Sequence, residues 1–210
     1  MNRKISLLSM AAVLTACMVF TGCKKDDDDK GAAISGNLDI TLEGVTDQID
    51  EVRMLAWTGD EKSEQIATAK VTNGNLSITL PDVAPAGTLG TLGNMTAGIT
   101  VSDPALKSCN TEFIAYKNGN QVGYIYYGKT DGENETEVSI IYADRDCSIS
   151  GTYTDTEDKY IDQYNNFNLK KGWNYIVYIE KGKDSSGNDV VESTTSLPSG
   201  LKWYFEGYGN

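Results

Sequence analysis

Asp144 and Asp146 sit directly before Cys147 in the run Asp144-Arg145-Asp146-Cys147, with Asp155 and Asp158 a short way downstream. Carboxylates at such spacing supply oxygen ligands to a hard cation such as calcium, which wants about six to eight of them. The pattern lacks the glycine and terminal glutamate of the twelve-residue calcium loop, so it reads as a solvated acidic loop and no metal site is assigned. Cys109 and Cys147 are the other reactive pair. In an oxidising compartment an even pair forms a disulfide, worth about 3–4 kcal/mol for a loop of this length in the chain-entropy account. The alternative is two buried free thiols.

The chain has no histidine. That removes Ser-His-Asp and Cys-His catalysis and every His-ligated metal or haem site, and two cysteines alone make a poor zinc site. Glycosidase chemistry needs only a pair of carboxylates across a cleft, but among 30 acidic residues some pair falls at that distance by chance. No catalytic residue and no cofactor are assigned, and the chain reads as non-enzymatic.

The twelve tyrosines all lie between Tyr116 and Tyr208. Aromatic rings exposed on a sheet can stack on a sugar or another flat ligand while their hydroxyls orient it. Tyr124, Tyr126 and Tyr127 occupy both faces of one strand, as do Tyr175 and Tyr178 of another, so some of these rings leave the principal core. The alternative role is as cross-strand pairs and half-buried rims. Trp57, Trp173 and Trp203 read as core residues.

The elements that must position these groups are strands. Period-two alternation runs through Ile34–Leu42, Val52–Trp57, Ala67–Val71 and Leu76–Leu80, with Asn73-Gly74 as a hairpin turn. Phe113–Tyr116 and Val122–Tyr127 flank Asn118-Gly119 in the same way, followed by a long polar loop over 128–135. Val138–Tyr142, Ile149–Tyr153 and Leu201–Phe205 are further strands, and Asp155–Asp162 is the one short helix or turn. Trp173–Ile179 is apolar or aromatic on both faces, which marks a central strand. The expected architecture is an all-β antiparallel sandwich or open barrel of about ten to thirteen strands, as one domain or as two divided into 33–98 and 99–210. The 33–98 segment resembles small transthyretin-like or immunoglobulin-like domains of bacterial surface lipoproteins.

Two positive charges, Arg3 and Lys4, precede an apolar run from Ile5 to Phe20 that ends Thr21-Gly22-Cys23. At 1.5 Å per residue that run is shorter than the roughly 30 Å hydrocarbon core of a bilayer, so residues 1–22 read as a secretory signal. Phe20-Thr21-Gly22-Cys23 resembles the lipobox of bacterial lipoproteins, in which Cys23 becomes the acylated first residue; Leu14-Thr15-Ala16-Cys17 is the second candidate. Residues 23–32 read as a tether, because the like charges of Asp26–Asp29 repel one another. That acidic run resembles the surface-export signal of Bacteroidetes lipoproteins, and Asp26–Lys30 also matches the enteropeptidase sequence of expression tags. The intact signal before it favours export.

The resemblance implies a lipid-anchored protein exposed on the bacterial outer membrane. The formal charge of -12, which becomes -14 when Arg3 and Lys4 leave, argues against nucleic acid. The expected function is a ligand- or glycan-binding accessory lipoprotein. A structural, fimbria-like envelope protein that joins partners by donated strands is the alternative.

Overall fold

Residues that alternate apolar with polar every second position can bury one face of a strand and wet the other, and sheets result wherever such faces meet. In the computed structural model, which describes residues 33–45, 47–57, 63–91, 98–131 and 134–208, they form fourteen strands and no α-helix. The first half contributes β1 (Asn37–Thr41), β2 (Glu51–Trp57), β3 (Ser63–Lys70), β4 (Asn75–Thr79), β5 (Gly90–Thr91), β6 (Ile99–Val101) and β7 (Lys107–Lys117). The second contributes β8 (Asn120–Asp131), β9 (Asn134–Ala143), β10 (Cys147–Asp155), β11 (Tyr160–Leu169), β12 (Gly172–Lys183), β13 (Asp189–Thr194) and β14 (Lys202–Gly207).

β1 and β4 form a two-stranded sheet, and the other strands form one twelve-stranded sheet in the order β3-β2-β7-β8-β9-β12-β13-β11-β10-β6, with β14 beside β8 and β5 beside β7. The small sheet roofs one face of the large one. Leu38, Ile40, Leu76 and Ile78 from the small sheet pack with Val52, Met54, Phe113, Ile125, Ile140, Trp173 and Trp203 from the large one. The aromatics interlock here: Tyr127 stacks on Trp203 at 4.8 Å, and Phe113 meets Trp203 edge-on at 5.4 Å. Such pairs add about 0.5–1.5 kcal/mol each beyond their area. The Trp173 indole N–H also donates to the Pro81 carbonyl at 2.6 Å, tying β12 to the chain that leaves β4.

The large sheet branches. β7 pairs with β9 up to Asn110↔Ile141 and with β8 from Phe113↔Ile125, while β8 pairs with β9 from Tyr127↔Val138 onward. Each of the three strands thus exchanges one neighbour for another, and the three registers stop short of one another at Thr111 and Glu112, Tyr126, and Ser139 and Ile140. Strand backbone at such a junction lies beyond the neighbouring ladder. There Thr111 Oγ1 donates to the Ile140 carbonyl at 2.6 Å. Three arms leave the branch point: β2 and β3 from β7, β14 from β8, and β12 through β6 from β9.

The third arm curls. Ile141 and Ala143 of β9 share a second core with Ile176 of β12, Phe167 and Leu169 of β11, and Cys147 and Ile149 of β10. Strands four places apart in one sheet meet only if the sheet bends toward the face opposite the roof. β12 is the hinge between the cores: Trp173 and Tyr175 join the roofed one, Ile176 and Tyr178 the curled one, as its two apolar faces predict. β13 is inserted between β11 and β12 and runs parallel to β11, the exception in an otherwise antiparallel sheet. Where β11 and β12 part, the buried Asn174 amide donates to the carbonyls of Lys170 and Gly172 and its oxygen accepts from Lys170 N–H, so its polar atoms are paired within the fork.

Several expectations need correcting. The Asn73-Gly74 hairpin turn forms, with φ of 51° and 76° and with Thr72 and Asn75 exchanging backbone hydrogen bonds across it, but the pairing goes no further into β3 and β4. β3 stays on β2 while β4 crosses to β1, because the two apolar faces belong to opposite layers. The Leu42 and Val45 carbonyls come so close to Gly74 that a side chain there has no room. Asn118-Gly119, by contrast, joins β7 to β8 as a hairpin paired into both strands. The polar segment over 128–135 is mostly strand, with Asp131 paired to Asn134. Of the helix or turn expected over Asp155–Asp162, the turn is what forms: residues 156–159 join β10 to β11, with Asp155 paired to Tyr160 and accepting the N–H groups of Glu157 and Asp158. The sheet also runs across the expected division at 98/99, since β2 pairs with β7 from Glu51↔Tyr116 to Trp57↔Asn110. The signal, the tether, Cys17 and Cys23 lie outside the described residues.

Candidate functional site

Residues opposite each other in register share a face of the sheet. On β2, β7, β8 and β14 the face away from the roof therefore carries Glu51 beside Tyr116, then Arg53, Ile114, Tyr124 and Glu206 in one row, then Leu55 with Glu112, and Tyr126 with Tyr204. The small sheet lies on the other face, and the curled arm packs on Leu106, Ile141 and Ala143, none of which belongs to this row. Tyr116, Tyr124, Tyr126 and Tyr204 are half-buried, and Tyr208 is 51% exposed. Beneath them Ile114 is buried to 4% exposure, with Arg53 and Tyr124 as its cross-strand neighbours.

The rings form a row. Tyr126 and Tyr204 stack at 5.1 Å with 21° between planes, and Tyr124 lies 6.4 Å from Tyr126 and 6.5 Å from Tyr208, tilted by about 50° to each. Gln121 Nε2 donates to the Tyr208 hydroxyl, holding that ring at the end of the row. At the other margin the Arg53 guanidinium lies 3.9 Å from the centre of the Tyr116 ring and donates to Glu51 at 2.6 Å. Cross-strand stacking spends one ring face of Tyr126 and of Tyr204 on each other. The row thus combines aromatic rings with phenolic groups, chemistry that suits a hydroxyl-rich ligand.

Glu112 stands where β7 and β8 part, one residue before the last β7–β8 pair, and Tyr126 stands one residue beyond it on β8. It is half-buried, and burial pushes its carboxyl above the ordinary range. Sequence reasoning passed over it: one carboxylate among 30 has no local signature, and only the branch of the sheet sets it among the tyrosines. Arg53 and Glu51 were missed for the same reason.

The curled arm holds a second polar group of residues. Asp162 is 7% exposed and accepts from Ser193 Oγ at 2.8 Å. Burial pushes its carboxyl up, opposed by the hydrogen bonds from Ser193 and Tyr164. These contacts satisfy Asp162 within the fold. A shallow cleft of about 300 Å³ at the ends of β8, β9 and β12 is lined by Lys129, Asp131, Thr136 and Glu180 among others, and no aromatic ring enters it.

The other anticipated residues fall elsewhere. Cys109 and Cys147 do not form the expected disulfide; both are free and buried. Cys109 belongs to the roofed core and Cys147 to the curled one, so their thiols lie on opposite faces of the sheet, an arrangement no disulfide geometry spans. Burial pushes the Cys109 thiol up, which leaves it protonated and unreactive. The aspartates are dispersed. Asp144 is paired with Arg145 at 3.0 Å and accepts Lys107 N–H, Asp146 accepts from Lys170 and Lys171, and Asp155 lies at the far end of β10 from both. No group of three potential metal ligands occurs among the described residues. Trp173 and Trp203 are core residues as expected, whereas Trp57 is half-buried on the face that carries the tyrosines. No family model, curated protein or solved structure matches the chain.

Proposed function

We propose that this protein is a non-enzymatic lipoprotein, anchored through Cys23 to the outer surface of a bacterial outer membrane, whose tyrosine row binds a glycan. The observation that carries the binding half is the row itself: Tyr124, Tyr126 and Tyr204, half-buried, and Tyr208, exposed, lie on the face away from the roof and are backed by the buried Ile114. A fold uses aromatic pairs for stability, but the roofed core already holds Tyr127, Tyr142, Tyr175, Phe113, Trp173 and Trp203. A second aromatic layer, half in water, adds little to that core and much to a contact surface.

The anchoring half rests on the signal-like run before Cys23 and the acidic stretch after it. The fimbria-like reading is the weaker one. β3, which ends the path of the large sheet, carries charged residues and a register shift opposite Met54 and Leu55, features that discourage strand addition.

Affinity electrophoresis of the full chain in mild detergent, through gels containing soluble polysaccharides, tests the binding. Retardation by at least one polysaccharide is expected, and Tyr126→Ala together with Tyr204→Ala should abolish it while the fold is retained. Unretarded migration through every neutral and acidic polysaccharide would overturn the glycan reading. Mass analysis of the mature N-terminus tests the anchor: acylated Cys23 is expected, and an unmodified first residue would overturn it.

A further inference from the structure

The tyrosine face has a charge pattern that its rings alone do not explain. Its acidic groups are Glu51, Glu112 and Glu206, and the cations at its margin are engaged: Arg53 by Glu51 at 2.6 Å and Lys202 by Glu43 at 2.8 Å. Glu51 is likewise held by Lys70 as well as Arg53. Glu112 differs. Burial is what shifts its carboxyl, with no ion pair or hydrogen bond opposing it. It sits at the branch point, one residue past the end of the β7–β8 register on β7, as Tyr126 is on β8.

A carboxylate presents two oxygens with about four lone-pair sites, which match two adjacent hydroxyls of a pyranose. Partial burial strengthens hydrogen bonds made there and raises the cost of bringing up a second negative charge. Ligand sites typically combine apolar and aromatic lining with a small number of placed polar groups. Resting on the glycan reading above, we propose that Glu112 is the specificity-determining residue of the tyrosine face: it accepts hydrogen bonds from neighbouring hydroxyls of an uncharged pyranose and turns away sugars bearing carboxylate or sulfate.

The ligand class follows: a neutral polysaccharide, with uronic-acid and sulfated polymers excluded. The net charge of -12 acts in the same direction at longer range. Glu112→Gln keeps the shape of the side chain and one acceptor oxygen but removes the charge. Glu112→Asp keeps the charge but withdraws the carboxylate by one methylene.

The test is affinity electrophoresis of the full chain and three variants against a panel of neutral polysaccharides (a glucan, a mannan, a galactan), polygalacturonate and dextran sulfate. Thermal unfolding of each variant confirms that it is folded. The wild-type protein should bind at least one neutral polymer about tenfold or more tightly than either acidic one. Glu112→Gln should weaken that neutral binding about tenfold and bring the neutral-to-acidic ratio toward one. Glu112→Asp should weaken neutral binding yet still refuse the acidic polymers. Tyr126→Ala should lose all binding. If Glu112→Gln binds the neutral polymer within about twofold of wild type while Tyr126→Ala does not bind, the tyrosine row stands and the role of Glu112 is overturned. A wild-type preference for an acidic polymer would overturn that role equally. If wild type and Tyr126→Ala are equally unretarded by every polymer, the glycan reading itself fails.

Discussion

Thr111→Val tests the branch point, because the two side chains have nearly the same shape and differ by one hydroxyl. Thr111 Oγ1 donates to the Ile140 carbonyl at 2.6 Å, and Ile140 is 2% exposed. β9 pairs with β8 through Val138 and with β7 from Ile141, so neither neighbouring backbone answers that carbonyl. Removing the donor leaves a buried acceptor unpaired, which costs about 1–3 kcal/mol, whereas deleting an ordinary satisfied hydrogen bond costs about 1. For a domain of this size each kcal/mol lowers Tm by about 2–4 °C, so a drop on the order of 5 °C is expected. Thr111→Ser keeps the hydroxyl and loses one methyl, and should recover most of the difference. Urea unfolding followed by Trp fluorescence gives the free energies directly. A Thr111→Val variant within about 0.5 kcal/mol of wild type, or one less stable by no more than Thr111→Ser, would refute the reasoning, since something other than Thr111 would then be satisfying Ile140.

Three further outcomes follow from the same structure. Trp173→Phe keeps a ring in the roofed core but loses the bond to the Pro81 carbonyl, and should destabilise by about 1–3 kcal/mol in the same urea assay, with Trp173→Ala costing about 3–5. Asp162 has a carboxyl whose folded-state pKa is raised by burial, so below the unfolded value it costs nothing, and the stability of wild type relative to Asp162→Asn should fall as pH rises through the folded value; a flat difference across that range would contradict the burial. Cys109 and Cys147 should resist iodoacetamide in the folded protein and be alkylated in urea without reductant, as read by peptide mass mapping; a requirement for reductant would mean they are bonded to each other.

Much of the architecture was legible because it is local. Strict alternation in Val52–Trp57 and Leu76–Leu80 placed β2 and β4, and the doubly apolar Trp173–Ile179 marked β12 as central. Pairing partners were less so. Asn73-Gly74 and Asn118-Gly119 are the same dipeptide with nearly the same φ values, yet pairing stops after Thr72 and Asn75 at one and runs on into both strands at the other. The difference lies in which face of β3 and of β4 is apolar and what each finds to cover it, which is a property of the assembled layers. The disulfide expectation failed similarly: an even cysteine count says nothing about which side of a sheet each thiol faces. The tyrosine row was half legible. Its residues stood out by type, and their alternation required some to leave the core, but the row is completed by Tyr204 and Tyr208, which arrive with β14 from the far end of the chain.

The branching of the large sheet also bears on how the chain reaches this state. In an ordinary meander each hairpin can form by itself and wait for the next. Here β7, β8 and β9 each surrender part of an edge to a third strand, so the β7–β8 hairpin is native over only part of its length until β9 arrives, and β9 is held in turn by β12. Register errors at one edge propagate to the other two, which makes the assembly concerted and slow, as expected where most pairing is distant in sequence. A chain cut at 98/99 would strip β2 from β7 and the roof from the aromatic core, leaving a fragment with a long unpaired edge and a broad apolar face in water. The two halves of the chain therefore share both a strand ladder and a core.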